Sequence, residues 1–355
     1  MSGRTVVALS GGVDSALAAA LTKARGGEVL AMTLRLYDVA NAPGAKRRHG
    51  SCCAPEDIED ARRVADQLEI PFYVLEASEH FQAHVIGPFL AAYRAGRTPL
   101  PCASCNRHLK FGHLLRRAQA LSARLCTGHY ARIERRPDGS HRLLRARDER
   151  RDQSYFLYGL SPEDLAQIDF PLGDLQKDDV RAQAAARRLR VAEKPDSQEL
   201  CFIGGDYAAY VEQHGGAGKV GPVVETAGRV LGQHGGVHRF TVGQRHGLPI
   251  VAGPAPRYVT HIDGESGAVE VGPLEALSRE SLEVHETAYP GGVRHRPFEA
   301  LVRIRHQHKG ELATVTPQAG QRAQVRFRQA VRAPAPGQAA VFYEGAETVG
   351  GGLIV

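Results

Sequence analysis

The sequence predicts an α/β protein, with a doubly wound parallel sheet followed by a small β-rich central region and a C-terminal β-barrel. Three observations carry this. Strands and helices alternate up to Gly204; glycine then rises as helical spacing ends; and short apolar runs split by Gly/Pro loops fill the end of the chain. The expected domains are residues 1–204, 205–278 and 279–355. Val6 to Leu9 is an apolar run ending in a glycine turn, and Asp14 to Ala24 is built from helix formers. Val29 to Leu34 reads as a second strand. After a loop from Tyr37 to Cys53, Pro55-Glu56 opens a helix whose Ile58, Ala61, Val64, Ala65 and Leu68 recur at helical spacing; Phe72 to Leu75 is the next strand. A basic helix is expected from Asn106 to Leu121, then a strand from Arg124 to Thr127 running into Gly128. Between Val259 and Gly272, alternation on both sides of a Gly-Glu-Ser-Gly turn predicts a hairpin. Leu301 to Ile304, Ala323 to Phe327 and Ala339 to Tyr343 are expected barrel strands.

Apolar residues make up 43% and charged residues 24% of the 355, ordinary globular usage that excludes wholesale disorder and a fibrous protein. There is no apolar run of about 18 residues and no signal-peptide pattern at the start, so a cytoplasmic protein without a membrane partner is expected. Six cysteines (Cys52, Cys53, Cys102, Cys105, Cys126 and Cys201) are too few for a disulfide scaffold of this length and point to thiol chemistry or metal ligation. Of the 45 basic residues 38 are Arg, a bias that a GC-rich genome explains better than a phosphate-rich partner does. Position is more telling. From Arg107 to Arg151, 13 basic residues face 4 acidic ones, a segment net of +9 against +6 for the whole chain.

The sharpest local pattern is Ser10-Gly11-Gly12-Val13-Asp14-Ser15, between the first strand and the first helix. A glycine pair lets the backbone approach a pyrophosphate, the two serines add hydroxyls, and the helix N-terminus brings amides of positive partial charge. The Gly-Lys-Ser/Thr of a Walker A loop is missing, which favours chemistry at an α-phosphate. Asp14 is the expected protein ligand for Mg2+. Cys102-Ala103-Ser104-Cys105 lies in a turn-rich stretch ahead of the basic helix, and Cys201 lies in Lys194 to Ile203. By itself a Cys-x-x-Cys fits a redox pair, half a zinc site or chance, and no second pair completes a zinc ribbon.

The hexapeptide resembles the loop of the N-type ATP pyrophosphatases, and the whole pattern is similar to the tRNA-specific 2-thiouridylase family. Ordered blocks carry the likeness over nearly the whole chain: Ala8 to Ser15, Gly96 to Phe111, Thr127 to Arg132, Arg151 to Leu160, Lys194 to Ile203, Phe240 to Ile250, Arg303 to Gln307 and Ala340 to Ile354. The resemblance implies ATP-dependent 2-thiolation of a wobble uridine. ATP would bind at Ala8, Leu9, Ser10, Gly11, Gly12, Val13, Asp14 and Ser15, with Leu34 and Gly128 at the adenosine. Uridine O2 would be adenylated, a persulfide on Cys201 would deliver sulfur as AMP leaves, and Cys105 would act as nucleophile and resolve the persulfide through a Cys105–Cys201 disulfide. The basic segment favours the Cys105 thiolate.

The resemblance further implies tRNA contacts at Leu100, Pro101 and Cys102, at Arg151, Asp152 and Gln153, and at Arg305, His306 and Gln307, with the basic segment on phosphates. The expected partners are tRNAs for Lys, Glu and Gln and a sulfur-relay donor or cysteine desulfurase. One departure stands out: many members of the family have Asp where this chain has Cys102. Cys102 then either shapes the base pocket or joins Cys105 and Cys201 in ligating a [4Fe–4S] cluster. Two other functions compete: an ATP pyrophosphatase adenylating a small molecule, and a non-catalytic RNA-binding protein with a vestigial nucleotide loop.

Overall fold

A computed structural model describes residues 3–36, 55–196, 200–226, 228–250 and 255–355; Cys52 and Cys53 lie outside them. Strands β1 (Arg4–Ala8), β2 (Val29–Arg35), β3 (Phe72–Glu76) and β4 (Ala123–Cys126) belong to one parallel sheet. Helices α1 (Val13–Ala24) and α2 (Pro55–Gln67) pack on one face. Alternation decides the two cores: Val6 and Leu30 face one side, Val7 and Ala31 the other.

The second face is covered by two long helical runs. The first joins α3 (Ser78–Phe81), a π-helical stretch (Gln82–Ile86) and α4 (Gly87–Arg94); the second joins α5 (Pro101–Cys105), a π-helical stretch (Asn106–Leu114) and α6 (Leu115–Ala120). The second run thus begins at Pro101, not at Asn106 as the sequence suggested, so both cysteines of the Cys-x-x-Cys are helical. Proline at a first helical position needs no N–H partner and carries the right φ, a start signal hidden by the turn residues before it.

A hairpin, β5 (Ala131–Arg135) and β6 (His141–Arg145), follows β4 and leaves the parallel sheet. Helix α7 (Pro162–Leu165) leads to β7 (Ile168–Asp169), which completes the sheet in the order β3-β2-β1-β4-β7; α8 (Lys177–Ala186) packs against α1. Helix α9 (Tyr207–Gly215) lies beyond Gly204, where only strands and turns were expected. The central region holds β8 (Gly221–Glu225), β9 (Val230–His234), β10 (Tyr258–Ile262) and β11 (Val269–Gly272), the last two forming the expected hairpin.

The C-terminal strands are β12 (Ser278–Ala288), β13 (Phe298–Arg303), β14 (Glu311–Gln318), β15 (Arg322–Arg332), β16 (Ala339–Glu344) and β17 (Glu347–Ile354). They run β12-β15-β14-β13-β16-β17, and a β12–β17 pairing closes them into a six-stranded barrel. The β5–β6 hairpin joins this barrel by pairing β6 with β17. Among the described residues no helix is long and apolar enough to cross a membrane.

Candidate active site

Ligands of open parallel sheets sit beyond the carboxyl ends of the strands where the order reverses. Here that point lies between β1 and β4, and both are followed by glycine turns. Gly11 has φ +75, and a Cβ there would stand 2.2 Å from the Asp57 carbonyl oxygen. A Cβ on Gly128 would stand 2.8 Å from the Asp14 carbonyl carbon and the Ser15 nitrogen. The two turns therefore touch without side chains between them. Ser15 Oγ donates to the Gly12 carbonyl (3.0 Å) and accepts from the Ser10 amide (3.1 Å), and Gly12 caps α1 without a side chain, leaving the first-turn amides facing the loop.

Two lysines tie this loop to the segment that leads to Cys201. Lys177, buried, donates to both Asp14 oxygens (2.8 and 2.9 Å) and forms an ion pair with Asp196 (2.8 Å). Tyr130 also donates to Asp14 (2.8 Å); burial first, and Asp14 beside it second, push its phenol far up. Lys194 donates to the Gly11 carbonyl (3.0 Å), Asp57 (2.6 Å) and Asp60 (2.7 Å). Its burial works against the charge, but the hydrogen bonds to Asp57 and Asp60 outweigh it and hold its pKa above the ordinary lysine value. Asp196 is likewise half-buried, yet Lys177, Arg151 and Arg181 keep its carboxyl below the usual range.

A cavity of about 420 Å³ opens over the loop and reaches Cys102, Cys105 and Cys201. Cys102 is exposed, Cys105 and Cys201 are half-buried, and all three are thiols: no Cys105–Cys201 disulfide is present. Lys110 lines the same wall. Residues five apart share a face in π geometry, so the π stretch sets Lys110 on the side of Cys105. Lys110 Nζ stands 3.4 Å from His129 Nε2, whose Nδ1 stands 2.7 Å from Thr127 Oγ1. Burial, then Lys110, holds the His129 pKa well below its ordinary value. The ring is neutral, and its Nε2 accepts from the ammonium. Cys126, by contrast, is sealed beneath β4 with its thiol 3.2 Å from Thr22 Oγ1, and burial pushes it up to about 12.

Of the residues expected at the nucleotide, all but Gly11 line the cavity, Leu34 and Gly128 included. Pro101, Arg151 and Gln153 line it too. Asp152 does not: it is 2% exposed, and its carboxylate accepts from the Ala146 and Ser154 amides, Ser154 Oγ and Arg145 Nε, with Arg303 of the barrel 3.7 Å away. Leu100 packs in an apolar cluster with Tyr155 and Tyr343. His306 reaches the Asp152 carbonyl (3.2 Å) and lies 4.7 Å from the Phe156 ring, while Arg305 and Gln307 are exposed on the barrel. The basic segment is partly spent inside the protein: Arg107, Arg132, Arg136, Arg142, Arg145 and Arg151 all meet carboxylates. Arg116, Arg117, Arg135, Arg147 and Arg150 remain exposed and without an ion-pair partner among the described residues. A larger cleft of about 890 Å³ at the junction of the three domains is lined by neither a cysteine nor a residue of the Ser10–Ser15 loop, so the smaller cavity is the candidate site.

Asn106, Lys110, His129, Tyr130 and Lys177 had not been singled out from the sequence. All but Lys177 lie inside the resembling blocks. Lys177 lies in none, and its one signal is that lysine is rare here: 7 residues against 38 Arg.

Fold and site together define a nucleotide-binding α/β protein of the HUP class. Residues 3–205 match the family described as tRNA methyl transferase HUP domain, 208–273 its PRC-barrel domain, and 279–354 the aminomethyltransferase beta-barrel domain. A relative from Geobacter metallireducens is 49% identical over 99% of this chain and 96% of its own length, and one from Geotalea uraniireducens is 45% identical over 99% and 94%; both are named tRNA-specific 2-thiouridylase MnmA. The chain belongs to the tRNA-specific 2-thiouridylase family. The solved structure of NMN synthetase from Francisella tularensis is similar over 58% of this chain and 69% of that one, at 20% identity and a TM-score of 0.36.

Proposed function

We propose that this protein is an ATP-dependent tRNA sulfurtransferase that converts the wobble uridine to 2-thiouridine. The observation that carries the reading is one cavity holding a pyrophosphate loop at one end and Cys105 and Cys201 at the other. Loop amides and Lys110 favour the negative charge of ATP as uridine O2 attacks the α-phosphorus and pyrophosphate leaves. The terminal sulfur of a Cys201 persulfide then attacks C2, and AMP departs with the former O2. Cys105 thiolate attacks Cys201 Sγ, the persulfide bond breaks toward the new C2–S, and a Cys105–Cys201 disulfide remains for a thiol reductant to reopen.

Mg2+ habitually takes one or two carboxylates plus phosphate oxygens. Asp14 would be its protein ligand on exchanging the Lys177 and Tyr130 hydrogen bonds that now occupy its oxygens, and the ion there would neutralise phosphate charge. Among the described residues no three His, Cys, Asp or Glu side chains are placed to hold a single metal ion; the steps above run through the persulfide alone, with a cluster on Cys102, Cys105 and Cys201 as the competing route for sulfur. On the persulfide route Cys102 is assigned to the mouth of the base pocket. The substrates are tRNAs for Lys, Glu and Gln, and the sulfur comes from a relay protein or a cysteine desulfurase.

The test supplies ATP, Mg2+, unmodified tRNA and a persulfide donor, and reads nucleosides by mass spectrometry. 2-Thiouridine is expected with the intact chain and lost in Cys201→Ser and in Cys105→Ser. Undiminished thiolation in both variants would sink the mechanism.

A further inference from the structure

Asn106 follows Cys105 at the start of the π stretch and lines the same cavity, yet it is 5% exposed. Its Nδ2 donates to the Phe156 carbonyl oxygen at 3.2 Å. That bond fixes the amide's orientation, because a carbonyl only accepts and the flipped amide would set oxygen against oxygen. Asn106 Oδ1 is then left buried without a hydrogen-bond partner among the described residues. Buried acceptors are almost always paired, and an unpaired one beside a reacting group calls for a donor that the folded chain does not itself supply.

The surroundings say which donor. Phe156 is half-buried on the cavity wall and backed by the His306 ring, a flat apolar surface for a base to lie on. Cys102 and Cys105 are on the same helical turn as Asn106. A uracil presents N3–H between its two carbonyls, whereas a cytosine presents a bare N3 acceptor that would meet Oδ1 lone pair to lone pair. We propose that Asn106 Oδ1 accepts from N3–H of the target uracil and thereby selects uridine over cytidine. Carbon 2 adjoins N3, so the same bond turns the reacting atom toward the cysteines. This rests on reading the cavity as a uridine thiolation site.

The experiment compares kcat/KM for 2-thiolation on tRNA transcripts that differ only in U34 or C34. The intact enzyme is expected to prefer U34 by about 100-fold or more, as sites built to pair a polar group reject analogues that cannot pair. Asn106→Leu keeps the volume; it is expected to lose about 10- to 100-fold on U34 while the preference shrinks to a few-fold. ATP affinity and the thermal midpoint report whether the variant is folded. Equal losses on both transcripts, with the preference intact, would show a merely structural role and overturn the proposal. A second arm needs no variant: N3-methyluridine at position 34 removes the donor, and turnover equal to that on U34 would likewise overturn it. No 2-thiouridine from the intact enzyme would instead refute the underlying reading of the cavity.

Discussion

Asp152→Asn separates two roles for the Arg-Asp-Gln block. If the carboxylate meets the target base, the substitution weakens tRNA binding and spares stability. The structure argues for the opposite. One oxygen accepts from two backbone amides (3.1 and 3.2 Å), the other from Ser154 Oγ (2.9 Å) and Arg145 (3.3 Å), and Arg303 approaches from the barrel. An asparagine keeps one acceptor and turns an NH2 toward groups that also donate, leaving two half-buried guanidinium groups short of a counter-charge. Breaking such a buried arrangement costs about 3–5 kcal/mol, or a fall of about 6–10 °C in the thermal midpoint for a cooperative unit of this size. Calorimetry at neutral pH and filter binding of tRNA read the two effects. An unchanged midpoint together with lost tRNA binding would refute the reasoning.

Gly128→Ala would drive a methyl into the Asp14–Ser15 backbone; ATP affinity should fall at least about tenfold by titration calorimetry, and unchanged affinity would mean the turn relaxes. His129 is held neutral, its folded pKa below the ordinary 6.5 or so of an unfolded chain, so the unfolded state takes the proton first and stability falls with pH below about 6.5, by up to ~1.4 kcal/mol per unit. His129→Gln should flatten that part of the slope between pH 7.5 and 5.5 in urea denaturation, and identical slopes would rule it out. Replacing Arg147 and Arg150 should each lower the slope of log K for tRNA against log salt by about 1; Arg136→Ser, whose partner is Glu347 (2.5 Å), should leave it alone. Cys126 should stay unlabelled by iodoacetamide in the native protein while the cavity cysteines react; labelling of Cys126 before denaturation would contradict its burial.

The parallel sheet was legible because each of its main strands is an apolar run beside a helix of clear period, and the barrel because its strands alternate between Gly/Pro loops. The loop from Ser10 to Ser15 carried its own chemistry in six adjacent residues. What stayed hidden depends on distance. Lys177 meets Asp14 across 163 positions and Lys194 meets Gly11 across 183, and no local pattern announces either bond. The switch from α to π geometry at Asn106 leaves no mark on composition, yet it decides that Lys110 and Cys105 look the same way. Asp152 is expected at the tRNA by resemblance, and no local pattern announces the arginines that reach it from β6 and β13. The charge of the basic segment is partly spent at a distance too, since Arg107, Arg136 and Arg142 meet carboxylates of the barrel.

The β5–β6 hairpin makes the first and last domains inseparable pieces of one object. Cutting the gene after residue 204 would not yield an independent catalytic half, because the excised piece would carry β6 with its edge open and Arg136 stripped of Glu347. Grafting a foreign barrel onto the catalytic domain would fail for the same reason unless the graft brought an edge complementary to β6. Domain shuffling, available to modules joined only by linkers, is closed to this pair, and changes on either side of the seam have to be matched by changes on the other.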